Sequence, residues 1–148
     1  MKETLLACIL LVDAGFIDKS EYIKHLDGLF LETSDDDLLL ELERQISDYQ
    51  KSKKMIVDYF SENKIDYSIF GKYLLEKLRN RYLLHDLSLE LFSSKLLNIW
   101  GNLSMDISTK QPFWSMSYIG EPLTWGDVKQ TRELCEKMFD YYTQPYDK

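Results

Sequence analysis

Nucleophilic, acid–base and metal chemistry each require particular side chains, and this chain offers few of them. There are two cysteines, Cys8 and Cys135, two histidines, His25 and His85, and the run Asp35-Asp36-Asp37 followed by Glu41 and Glu43. A thiolate nucleophile needs an electropositive, partly open setting. Cys8 sits instead among Leu6, Ala7, Ile9 and Leu10, and Cys135 has Glu133 and Glu136 to oppose Lys137. Both read as reduced core thiols. The histidines fall in different helical segments and form no i, i+4 metal pair. His25 reads as a helix-surface or structural imidazole, and His85, just before Asp86, as a helix-end residue that the C-terminal dipole favours. Three consecutive aspartates lack the alternating ligand spacing of a calcium loop. At the start of a helix they cap free amides and complement the dipole, and Glu41 and Glu43 strengthen that field.

No G-x-S-x-G elbow, phosphate-cradling loop or dinucleotide fingerprint occurs, and Gly120 and Gly126 are too isolated to build one. The expectation is therefore a non-enzyme with no catalytic residue, no cofactor and no metal. The catalytic alternative is a small metal-dependent hydrolase using Asp35–Asp37 with a histidine.

The elements that position these residues read as helices. All three prolines, Pro112, Pro122 and Pro145, lie after residue 111, which leaves a long uninterrupted helical stretch. A first helix is predicted from Lys2 to Ala14, with Gly15 in the left-handed position that ends it. Asp18 or Ser20 caps a second, with Tyr22, Ile23, Leu26, Leu29 and Phe30 on its apolar face. Ser34-Asp35-Asp36-Asp37 starts a third, striped by Leu38, Leu39, Leu42, Ile46 and Tyr49. Its end is open: a stop near Ser47 and a continuation to Phe60 both fit the pattern. Asp66 caps a helix carrying Phe70, Leu74, Leu78 and Tyr82. Ser88 caps another carrying Leu89, Phe92, Leu96, Ile99 and Leu103.

Residues 102–123 lose the helical period, and Trp114, Met116 and Tyr118 alternate with small or polar residues, which fits a short strand or irregular segment. Thr124 and Asp127 have capping-box spacing for a last helix to about Tyr142, with Val128, Thr131, Leu134, Cys135, Met138 and Tyr142 inward. The fold class expected is all-α: a compact bundle of five to seven helices with one aromatic loop near 102–123, forming a single domain over 1–148. Hydrophobic residues at 45% and charged residues at 29% are ordinary globular values and argue against disorder.

The run LLACILLV, positions 5–12, bears on address. Leu6-Ala7-Cys8 imitates a lipidation site, but only three apolar residues precede the cysteine, and Glu3 offsets Lys2. Eight apolar residues also cover only about 12 Å of helix against a membrane core of roughly 30 Å. The run reads as a buried helix and the chain as cytoplasmic.

Net charge is −7 and unevenly distributed: −8 over residues 1–50, +4 over 51–81 and −3 over 82–148. An acidic protein repels nucleic acid and anionic membrane, so neither is an expected partner. The basic stretch, from Lys51, Lys53, Lys54 and Lys64 to Lys72, Lys77, Arg79 and Arg81, is interleaved with Tyr59, Tyr67, Tyr73 and Tyr82. That mixture suits single strands, but so small an excess reads better as a solvated face. The acidic first third favours a basic protein partner, with solubility as the simpler account of most of its charges. Phe113, Trp114, Tyr118 and Trp125 with Met116 have the composition of interface anchors or of a lid over the core.

Small, acidic, single-domain and catalytically empty, the chain resembles in type the immunity proteins of bacterial toxin–immunity pairs, including contact-dependent inhibition systems. Glu121-Pro122-Leu123-Thr124-Trp125-Gly126-Asp127 also resembles the closing motif of a bacterial family of unassigned role. The first resemblance implies occlusion of a basic, nuclease-type toxin domain by a monomer or weak homodimer. It carries no motif, so composition alone supplies the candidate partner-binding residues: Asp35, Asp36, Asp37, Glu41, Trp114, Tyr118 and Glu121. A regulatory or scaffold helical subunit is the alternative.

Overall fold

The computed structural model describes residues 2–142, starting with a helix, α1 (Lys2–Asp13). Every residue of α1 from Thr4 to Leu11 is buried. A helix apolar around its whole circumference is stable only inside a core, and LLACILLV takes that position. The helix ends in a paired closure: Phe16 N–H donates to Leu11 C=O and Gly15 N–H to Val12 C=O, with Gly15 at φ 81°. A side chain at that φ would meet its own backbone, so glycine is the residue that fits.

The chain forms two compact units, divided between Phe70 and Gly71, within α5 (Tyr67–Leu84). In the first unit α1 contacts α2 (Lys19–Glu32) and α4 (Tyr49–Glu62), and α2 contacts α3 (Asp37–Arg44). Asp18 caps α2 through Ser20 N–H, and Asp36 caps α3 through Leu39 N–H. The third helix stops at Arg44. Gln45 N–H folds back onto Glu41 and Leu42 carbonyls, and Asp48 opens α4 by accepting from Lys51 N–H at 3.2 Å. The helical phase of Tyr49, Ile56 and Phe60 thus belongs to a new helix. Ser47-Asp48, a capping pair followed by Tyr49, was the sequence signal for the break.

The core of this unit is Leu5, Ile9, Leu26, Leu42 and Ile56, all fully buried. Two buried hydroxyls tie it together. Tyr49 Oη donates to Ile9 C=O at 2.8 Å, and Ser52 Oγ reaches the Gln45 and Asp48 carbonyls, each at 3.0 Å. The buried Tyr22 hydroxyl lies near Ser52 without a well-formed hydrogen bond, and burial pushes it up to about 12.

The second unit holds the rest of α5 with α6 (Leu89–Gly101), α7 (Met105–Ser108) and α8 (Val128–Phe139). Between α7 and α8 lie two 3-10 turns, Phe113–Ser117 and Glu121–Trp125. Among the described residues seven helices have eight residues or more, and none is a strand. The fold class is all-α. None of these helices is long and apolar enough to cross a membrane.

The aromatic segment, expected as a short strand or irregular segment, folds instead into the two 3-10 turns. Phe113, Met116, Ile119 and Pro122 are all buried. Their spacing is three, the period of a 3-10 helix. The alternation of Trp114, Met116 and Tyr118 suggested a strand, whereas the three-residue spacing describes the face that packs. Contacts with α6 and α8 hold the segment in place, as does the buried Thr131 hydroxyl, which donates to Ile119 C=O at 2.9 Å.

Two details of the last helix differ from expectation. Asp127, not Thr124, is its N-cap, accepting from Gln130 N–H at 3.0 Å. Thr124 turns back to Glu121 C=O inside the 3-10 turn, and Val128, expected inward, is exposed. Starting the helix at Asp127 rotates Val128 outward and places Thr131, Cys135 and Met138 in the core.

Candidate functional site

Charge is most concentrated on α2, α3 and the turn between them. Residues 19–44 carry eight carboxyl side chains against Lys19, Lys24 and Arg44. The sequence places Asp35, Asp36, Asp37 and Glu41 here, and the structure gives them different tasks. Asp36 is half-buried; its Oδ1 accepts from Leu39 N–H at 3.1 Å and its Oδ2 lies 2.5 Å from Lys2 Nζ. Burial opposes its ionisation, but the Lys2 ammonium and the Leu39 amide outweigh it and hold the carboxyl below its ordinary range. The hydrogen bond to Asp36 is in turn the main reason that Lys2 is held above its usual value. Asp36 is therefore a tie between α1 and α3.

Asp35 and Asp37 point outward, and neither has an ion-pair partner among the described residues. Glu41, half-exposed, accepts from Gln45 Nε2 at 3.3 Å and lies 3.5 Å from Arg44 Nη1. Glu43, read from the sequence only as strengthening the field at the start of α3, has a further partner in the structure. Desolvation first, then a hydrogen bond to Asp27 and its charge, push the Glu43 carboxyl up to about 7. Two carboxyl groups facing one another across α2 and α3 share a proton more readily than they both ionise. Nothing in linear spacing pairs residue 27 with residue 43; only the α2–α3 contact does so.

Trp114, Tyr118 and Glu121 belong to the second unit, on and beside the 3-10 turns. Trp114 is 46% exposed and Glu121 is exposed, while Tyr118 is half-buried with its hydroxyl 3.4 Å from Gln111 Nε2. Phe113 and Met116, from the same aromatic cluster, are core residues. One face of the segment thus closes the unit and the other meets solvent. Trp125, 62% exposed, is the larger solvent-facing aromatic.

No family model, curated protein or solved structure matches this chain.

The remaining chemically capable residues are occupied structurally. The His25 ring makes a short hydrogen bond with Thr4 on α1. His85 follows α5 at φ 55°, the left-handed cap that glycine or asparagine usually fills. Cys8 and Cys135 are buried, and burial pushes the Cys135 thiol up to about 12. A thiol in that state is protonated at neutral pH and a poor nucleophile. Among the described residues no three His, Cys, Asp or Glu side chains group so as to hold a metal ion. The arrangement offers a negative field on one helix pair and exposed aromatic area on and beside the 3-10 turns.

Proposed function

We propose that this chain is a non-catalytic binding protein that occludes a basic surface on a protein partner, in the manner of an immunity protein acting on a nuclease-type toxin domain in the cytoplasm. The observation that carries this reading is the pair of outward carboxylates, Asp35 and Asp37, on and beside a helix pair where acids outnumber bases, neither having an ion-pair partner among the described residues. Unneutralised charge of one sign accelerates encounter with a complementary surface and disfavours partners of like charge. Asp36 supports this surface from behind by fixing the start of α3 to α1. Trp114, with Tyr118 and Glu121 on its flank, supplies the aromatic area that slows release, since Trp and Tyr bury much surface at small entropic cost.

The test is co-expression with the product of the adjacent gene, followed by binding kinetics at two ionic strengths. Replacing both Asp35 and Asp37 with Lys lowers the association rate about tenfold or more at low salt. Trp114→Ala raises the dissociation rate. If both variants fold and bind with unchanged affinity, the surface assignment is wrong.

A regulatory or scaffold subunit is the second reading. The exposed Trp125 and Val128 at the start of α8 favour it, because large apolar side chains open to water near one another suit a docked helix or peptide.

A further inference from the structure

Unit two contains a second chemistry that the acidic helix pair does not use. A hollow of about 150 Å³ lies where the end of α5, the turn after it, the start of α6 and the middle of α8 come together. Its walls are Arg81 from α5, His85 and Leu87 from the turn, Ser88 and Leu89 at the α6 start, and Arg132 from α8, over a floor of Tyr82 and Phe92. Two guanidinium groups and an imidazole line it, and among the described residues no carboxylate does, although Asp86 pairs with Arg81. We propose that this hollow binds a phosphate group or a similar tetrahedral oxyanion.

The arrangement is held in place by the fold. Arg81 Nε lies 3.1 Å from Asp86 Oδ1 across the turn, which fixes the guanidinium. Arg132 brings a second guanidinium from α8, close enough to the Tyr82 hydroxyl to oppose the upward shift that burial gives it. Tyr82 is itself clamped between Phe92 and Phe139, with ring centroids 5.5 and 5.3 Å away. His85 enters the lining because its left-handed backbone turns the chain back from α5 toward α6. Planar guanidinium groups match oxyanion geometry and bind it in pairs of charge-assisted hydrogen bonds. The positive end of α6, 13 residues long and capped by Ser88, adds to the same field. At about 150 Å³ the hollow has room for one phosphate group.

A different surface exists on the other side of Tyr82, where Arg79 shares a hollow of about 330 Å³ with Glu136, Asp140, Leu83 and Phe139. Its carboxylates disfavour an anion, which places the anion in the smaller hollow.

The probe is inorganic phosphate, with a phosphate monoester such as glycerol phosphate as the second arm and chloride at matched ionic strength as the control. Binding is read by amide chemical shifts of the full chain during titration. Saturable shifts confined to residues 81–92 and 132 with phosphate, and none with chloride, are the expected result. Tighter binding of the monoester identifies an organic phosphate as the ligand, and equal binding identifies the free ion. Arg132→Gln weakens binding about tenfold, the loss of one charge-assisted pair, whereas Lys129→Gln on the same exposed helix leaves it unchanged. Far-UV circular dichroism establishes that each variant is folded. Absence of saturation, or equal weakening by Lys129→Gln and Arg132→Gln, overturns the proposal.

Discussion

Replacing Glu43 with Gln removes a carboxyl group that folding forces to take up a proton near neutrality. Its value rises from 4.5 to about 7 because it is desolvated and faces Asp27. A group whose folded value is raised stabilises the protein fully below its unfolded value, and that contribution is lost as pH rises through about 7. At 1.36 kcal/mol per pH unit, the interval sets a ceiling of about 3 kcal/mol. Glu43 is half-buried and Asp27 exposed, so water screens the pair and an effect of about 1 kcal/mol is the expectation.

In urea unfolding at about pH 4, wild type and Glu43→Gln should be nearly equal. Between about pH 4.5 and 7 the wild type loses stability relative to the variant, by about 1 kcal/mol or 3 °C in Tm for a chain of this size, and above about pH 7 the difference stays constant. Asp27→Asn relieves the same conflict from the other helix and should flatten the profile similarly. If the wild type and Glu43→Gln trace parallel stability profiles over this range, the two carboxyl groups do not interact as described.

Two further outcomes are expected. Asp36→Ala removes a helix cap and the Lys2 partner together, for a loss of about 1–2 kcal/mol in urea unfolding, whereas Asp35→Ala changes stability by less than about 0.5 kcal/mol. Equal costs would show that the cap geometry at α3 is not what stabilises it. Gly71→Ala places a Cβ 2.2 Å from Cε2 of Tyr142, so the ring must leave α5. Tm changes in Gly71→Ala, while the same substitution in a Tyr142→Ala background is neutral or stabilising by up to about 1 kcal/mol, the helix-propensity gain; additive effects would refute the contact.

Where local chemistry decides structure, this chain declares its fold plainly. The caps at Asp18, Asp36 and Ser88, the left-handed Gly15 and the all-apolar α1 follow from side-chain donors, acceptors and backbone freedom within a few residues. The division between α3 and α4 was ambiguous because Tyr49 keeps phase with both helices, and only the Asp48 cap breaks the tie. The 3-10 turns were hidden by two overlapping periods in one aromatic segment. Thr124 and Asp127 both have capping chemistry, and the tertiary contact of Thr131 with Ile119 accompanies the choice of Asp127.

For the candidate site, composition pointed to Asp35–Asp37 and Trp114 but did not separate the outward Asp35 and Asp37 from the inward Asp36. The Asp27–Glu43 and Arg81–His85–Arg132 groupings require residues distant in sequence to meet. No single-chain pattern encodes such meetings.

The burial of Phe113, Met116, Ile119 and Pro122 at every third position has a consequence for how this segment tolerates changes of length. Adding or removing a single residue inside either 3-10 turn rotates the rest of that turn by about a third of a revolution, so that a neighbouring polar or aromatic residue enters the interior in place of its apolar predecessor. A change of three residues restores the register. Variation here is therefore expected as substitutions on the wet side, or as length changes in whole turns.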